Sequence, residues 1–308
     1  MGSFLRGTVC LGLLVVAMLL TNGYFLHGAW AASGGLTNCY VSAQPGIDWH
    51  ECEMAGKYLV GANLAGSNLA YADLKGADLR GSDLRGVNLS GSDLQGANLS
   101  GADLSNAKLY GTDLQGANLH GATFYGSSLS GANLEGQDMS HLVMAFADFS
   151  YADVKYCNLS KADLSGANMN YVDLTGSNLT DAKMANVNFF DANMGGTNVD
   201  YVDISGTNFF NANLTQSNLS HDNLSADNLS YADLVGSNLS HSTLVDANFN
   251  FAKFGSTKFE KSDLTNAILT NDVLFNVDLK DANLKNVDLE NSQFPETIRT
   301  CINNSVCM

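Results

Sequence analysis

The 308-residue sequence is poor in proline, with two, and in basic residues, with 15 Lys and Arg against 31 acids. Both prolines, Pro45 and Pro295, stand near the ends, so no residue lacking a backbone N–H interrupts the long stretch between them. No apolar run reaches the ~20 residues of a membrane-spanning helix. The longest, Val9 to Leu20, is only twelve residues. Between Met184 and Ala252 there is no Lys or Arg but there are seven Asp, which argues against direct nucleic-acid binding. Nucleotide, zinc and hydrolase motifs are absent as well. No nucleophile, base and orienting group are brought together, so the reading is of a non-enzyme with no cofactor, catalytic or metal residues.

What is present is a period. From Ala62 to about Glu296 the pattern small–Asn/Asp–Leu–x–x recurs every five residues without a slip of frame. All 47 central positions, from 64 to 294, are apolar: 31 Leu, 8 Phe, 5 Met, 2 Val and 1 Ile. On an α-helix a five-residue step advances about 140°, spreading these residues over every face. On a straight strand an odd step sends successive ones to opposite faces. One core can hold them all only if the chain turns once per repeat, so that four quarter-turns close a square coil of 20 residues. Coils then stack at about 4.8 Å. The small residue two before each centre points inward, where a larger one would collide with neighbouring sides. Gly, Ser, Asn and Asp at the outward positions suit tight turns.

This pattern resembles the pentapeptide-repeat proteins over about three quarters of the chain. The resemblance implies an all-β solenoid, a right-handed quadrilateral β-helix of about twelve coils and roughly 55–60 Å. The expected organisation is a signal peptide over 1–31, an N-terminal cap over 32–61, the β-helix over 62–296 and a C-terminal cap or tail over 297–308. Arg6, the apolar run and Ala29-Trp30-Ala31 carry the export signal. The protein is accordingly expected in the periplasm, outside the cell or in another oxidising compartment, with no stable membrane span after processing. Four of the cysteines that remain lie in the two ends, which a rod of this length holds beyond bonding reach. Cys39–Cys52 and Cys301–Cys307 are the expected disulfides. Cys157 falls at an inward slot and reads as a buried free thiol, and Trp49 as a lid on the first coil.

Residues twenty apart should share a face. Eight outward aromatics then fall along one edge: Tyr71, Tyr110, Tyr151, Tyr171, Phe190, Phe210, Tyr231 and Phe251. They read as a stiffening ladder, a contact stripe for a protein partner or self-association, or both. Asp73, Asp93 and Asp113 stack on one side, as do Asp153 and Asp173; Asp83 and Asp103 line the opposite side. Removal of the signal leaves 31 acids and 14 bases, a net charge of −17. Quinolone-resistance members of the family are acidic rods that imitate DNA to DNA gyrase, which makes topoisomerase inhibition or protection the alternative function. An export signal and a tail without an apolar helical pattern count against it. His141, His221 and His241 share another edge, read as variable surface or a pH-sensing or metal-binding set. Five inward slots break the small-residue rule: Gln137, Leu142, Asp222, Asp227 and Asp272. The first two predict a widened coil near Met139 and Met144, the acids backbone hydrogen bonds and local distortion.

Overall fold

The computed structural model describes residues 39–294, which fall within one unit of the chain, Thr37–Met308. The segment expected to be an export signal, Cys301 and Cys307 lie outside the described residues. Single parallel bridges join nearly every outward Asn/Asp position to the one twenty residues on, from Asp48↔Asn68 to Val273↔Gln293. One coil is therefore twenty residues, with four five-residue sides. Coil geometry is already present from Asp48, inside the stretch assigned to the cap. There Ile47, Trp49, Cys52 and Met54 fill inward positions.

The corner explains the period. At each the chain bends over two residues, closed by a bond such as Ala77 N–H to Leu74 O, 2.9 Å. The second corner residue has φ near +60° at all 50 corners from Gly46 to Asn291. A positive φ at that place is what a type II turn requires, and glycine adopts it without steric cost. Of the 19 corners up to Gly136, 16 are glycine; of the 31 from His141 onward, only five are. The later coils therefore carry side chains in a conformation that L-residues avoid.

All central residues from Leu64 to Leu284 are buried. The inward small slots hold Ala or Val, or Ser, Thr and Cys whose single donor finds a carbonyl except at Thr207. Ser82 Oγ donates to Leu79 O at 2.7 Å, Thr112 Oγ1 to Leu89 O at 2.9 Å, and Cys157 Sγ to Leu134 O at 3.0 Å. Cys157 is a buried free thiol, and burial pushes it up to about 12.

Asn and Asp recur on the sides because their Oδ1 accepts the backbone N–H two residues on, as Asp73 does from Lys75 at 3.0 Å. Asn does more. Its Nδ2 donates to the Oδ1 of the coil before, giving runs such as Asn188–Asn208–Asn228 at 3.0 and 3.1 Å and Asn198–Asn218–Asn238 at 2.8 and 3.1 Å. Aspartate cannot donate, so stacked Asp needs a cation or amide: Lys75 Nζ reaches Asp93 at 2.9 Å and Gln95 Nε2 reaches Asp113 at 2.5 Å.

Between Asp48 and Gln293 two rungs of the ladder are missing among the described residues, Asn118↔Asp138 and Lys183↔Asp203. At the first, the regular backbone bonds from Gly116, Leu119 and Gly121 to the coil above are not made. Gln137 occupies an inward slot there and sends its amide to Leu114 O at 2.9 Å. A side chain too long for the slot thus holds the coils apart, and Leu142 fills the next slot. The widened coil expected near Met139 is this seam. At the second, Asp181, Met184 and Asn186 do not donate to Asp200, Asp203 and Ser205.

Two substitutions separate these contributions. Leu159→Ala empties a fully buried position and should cost about 2–5 kcal/mol. Asn208→Asp keeps both acceptor roles but loses the bond to Asn188, and should cost about 1 kcal/mol. Denaturant titration followed by far-ultraviolet circular dichroism measures both; an Asn208→Asp variant as stable as the parent would remove the Asn ladder's directional role.

Candidate interaction edge

The structure brings six of the eight stripe residues into one continuous ladder. Tyr151 stacks on Tyr171 with centroids 4.7 Å apart, and Tyr171 meets Phe190 edge-on at 5.6 Å. Phe190 stacks on Phe210 at 5.4 Å; Phe210 reaches Tyr231 at 5.2 Å, and Tyr231 reaches Phe251 at 5.1 Å. Tyr71 and Tyr110 lie apart on the same edge, both strongly exposed. The Tyr71 ring lies across the corner of the next coil, where a Cβ on Gly91 would meet it at 2.5 Å. Phe146 and Tyr156 cover Gly166 and Gly176 in the same manner on other edges.

Four ladder members, Tyr151, Tyr171, Tyr231 and Phe251, occupy left-handed corners with φ between 58° and 62°. Each such position costs an L-residue about 1–2 kcal/mol, while each ring pair returns about 0.5–1.5 kcal/mol. Four corners against five pairs nearly cancel. The ladder thus gives the coil little that glycine would not.

Acids border the ladder chiefly on one flanking side, at Asp153, Asp173 and Asp233, while the other side carries Asp148 followed by asparagines from Asn168 to Asn248. Lys155 Nζ lies 2.9 Å from Asp153, and Lys253 Nζ lies 3.7 Å from Asp233. The amino-terminal acid stacks are partly neutralised. Arg80 and Arg85 each grip the Asp two residues earlier through two nitrogens, at 2.7 and 2.7 Å and at 2.8 and 2.6 Å. The arginines hold Asp78 and Asp83 below the usual carboxylate range.

The diagonally opposite edge carries a second stack: Tyr201 on His221 at 4.6 Å and His221 on His241 at 5.0 Å. Asp200 Oδ1 holds His221 Nδ1 at 3.1 Å and accepts Ser220 Oγ at 2.8 Å. His141 stands on this edge several coils away. The twenty-residue register pointed to the histidine pair but the sequence reading passed over Tyr201 and Asp200, which the same register contains. Among the described residues no group of three or more His, Cys, Asp or Glu is placed to hold a metal ion.

The five irregular slots are all buried. Asp222 Oδ1 accepts Val202 N–H and Asp227 Oδ1 accepts Thr207 N–H, both at 2.7 Å. The remaining oxygen of each, and both oxygens of Asp272, have no hydrogen-bond partner. Burial pushes all three carboxyls up to about 8. The first seam opens a cleft of about 90 Å³ lined by Ala117, Asn118, Leu119, His120, Asp138 and Ser140, room for a few waters. At the amino-terminal end Cys39 and Cys52 form a disulfide with Cα atoms 5.6 Å apart. No helix among the described residues is long and apolar enough to cross a membrane.

Comparison with known proteins places these features. Pentapeptide repeats match in eight overlapping copies between residues 58 and 271. No curated protein matches. Among solved structures the chain is similar to HetL, a pentapeptide repeat protein involved in heterocyst differentiation regulation in the cyanobacterium Nostoc sp. strain PCC 7120. The identity is 26%, over 68% of this chain and 86% of that one, with a TM-score of 0.28. It is similar also to QnrB1, a plasmid-mediated fluoroquinolone resistance protein, at 15% identity over 85% and 98%, TM-score 0.28. A third likeness is to a pentapeptide repeat protein of the Arabidopsis thaliana thylakoid lumen, at 31% identity over 42% and 68%, TM-score 0.18. Since the repeats match well over half of its length, the chain belongs to the pentapeptide-repeat family, whose fold is the right-handed quadrilateral β-helix.

Proposed function

We propose that the protein is a non-catalytic interaction column of about twelve coils, which binds a protein partner or a second copy of itself along the aromatic ladder. The observation that carries this reading is the run Tyr151–Tyr171–Phe190–Phe210–Tyr231–Phe251, whose rings touch in sequence. Its stacking roughly offsets its own corner strain, so stability alone gives no reason for aromatic rather than glycine corners. A contiguous apolar strip exposed on an acidic surface fits a contact site. Tyr71 and Tyr110 would extend that site toward the amino-terminal coils.

The acid stacks support the second reading, a DNA mimic acting on a topoisomerase. Asp73, Asp93 and Asp113 are joined by consecutive bridges, which places carboxylates in single file along one side. Removal of a signal peptide over residues 1–31 and a second disulfide, Cys301–Cys307, complete an exported protein. The Cys39–Cys52 bond supports that location.

Replacing Tyr171, Phe190 and Phe210 together by Ser should abolish association, read by sedimentation velocity and by cross-linking to the partner, with circular dichroism unchanged. Association at the parent level would remove the stripe as a contact site. The mimic reading predicts inhibition of DNA supercoiling by the processed protein, weakened in Asp73→Asn/Asp93→Asn/Asp113→Asn. Full supercoiling at micromolar protein would discard it. Cells making the native chain should yield a protein beginning at Ala32 with Cys39 and Cys52 oxidised, by mass spectrometry. Met1 retained with both thiols free would overturn export.

A further inference from the structure

The second seam lies one coil before the two buried acids. Side 200–208 lacks most of its backbone bonds to the coil below: Asp203 and Asn208 do not donate to Ala182 and Val187, and Lys183↔Asp203 is one of the two missing rungs, so that Asn208, bonded to Phe189 N–H and Asn188, is its remaining tie. The corner at Asp200–Tyr201 also lacks its closing bond, because Val202 N–H donates to Asp222 Oδ1 rather than to Val199 O. Bonds from this side to the coil above are long: Tyr201 N to Ser220 O is 3.4 Å and Asn223 N to Val202 O is 3.2 Å, against 2.7–2.9 Å for most rungs elsewhere. The side thus hangs from the coil above, and two short bonds, to Asp222 and Asp227, are prominent among those that hold it.

We propose that residues 199–208 form a proton-controlled hinge in the column, closed while Asp222 and Asp227 are uncharged and opened when they ionise. Each acid is at most 2% exposed, with one oxygen left without a partner. A neutral carboxyl tolerates that place; a carboxylate demands water or a cation. No cation is at hand. Lys183, on the coil below, lies 3.7 Å from Asp163, Lys253 lies 3.7 Å from Asp233, and His221 is engaged with Asp200 at 3.1 Å. The slots above, Ser242 and Ala247, are uncharged. Asp200 adds negative charge near Asp222, and Asp203 and Asp222 do so near Asp227. The backbone N–H bonds favour the carboxylates, but desolvation outweighs them and keeps both carboxyls raised to about 8.

The sign follows. In the closed state the acids keep their protons up to about pH 8; in the open, hydrated state they lose them from about pH 4. Closure is therefore fully favoured below about pH 4 and weakens as pH rises between these limits, by up to about tenfold per pH unit for each carboxylate. Opening frees the side from the coil above at the histidine edge, while Phe210 and Tyr231, in contact across those two coils on the diagonally opposite edge, act as the fulcrum. The hinge rests on the ladder's broken bonds and does not depend on the stripe's binding a partner.

Hydrogen exchange of the full processed chain, corrected for the intrinsic chemical rate, tests it between pH 5 and pH 8. Opening of 199–208 should grow by more than about tenfold over this range, while the equivalent side 239–248 stays flat. Asp222→Asn/Asp227→Asn should abolish the pH dependence. Asp222→Ser/Asp227→Ala, which installs the residues found one coil on at 242 and 247, provides a second variant suited to a regular coil and should likewise be flat. A wild-type side whose opening ignores pH, or variants that keep its slope, would overturn the hinge. Calcium that restores protection at pH 8 in the wild type alone would also overturn it, replacing proton control by a bound cation.

Discussion

The structure depends on one backbone constraint, a left-handed residue at every fifth position. That residue turns the chain through a quarter circle and fixes the length of each side at five residues. Side length in turn fixes the width of the interior, and the width decides which side chains fit. Four large apolar residues per coil meet at the centre, and the slot beside each has space for Ala, Ser, Thr, Val or Cys. The Asn and Asp at each side's outward position close the scheme by accepting the backbone N–H that the turn leaves over.

Because the constraint is periodic, the sequence states most of the fold openly. A helix or flat strand cannot face 47 apolar residues inward at a step of five, and the observed burial follows that register from Leu64 to Leu284. The stripe was legible in the same way, since residues twenty apart must stack. Which rings touch was not. Phe190 and Phe210 stand one position before the corners that carry Tyr171 and Tyr231, and only the coordinates show that the ladder crosses this offset. The start of the coil was hidden for another reason. Cys39, Trp49 and Cys52 break the residue pattern near Asp48 while the backbone already follows the coil, because a disulfide and a tryptophan fill the interior there.

The irregular slots illustrate what a repeat conceals. Gln137 and Asp222 occupy equivalent inward places, and both accompany a missing rung, but through different physics. Gln137 is too long and reaches down to Leu114, spreading its own coil from the one below. Asp222 is short enough, and instead draws Val202 toward the coil above, in company with Asp227 and Thr207. Both seams border the histidine edge, whereas at the second the aromatic edge bridges the coils without a gap through Phe190 and Phe210. The column is thus joined more continuously along one edge than along its diagonal opposite.

The Asn runs carry a further consequence. In each, Nδ2 of the later coil donates to Oδ1 of the earlier one, as Asn218 does to Asn198 and Asn238 to Asn218. The stack is therefore vectorial. Each coil presents oxygens, fixed by the N–H groups two residues on, to the amide donors of the coil that follows it in the chain, so the two ends of an Asn run are chemically unlike.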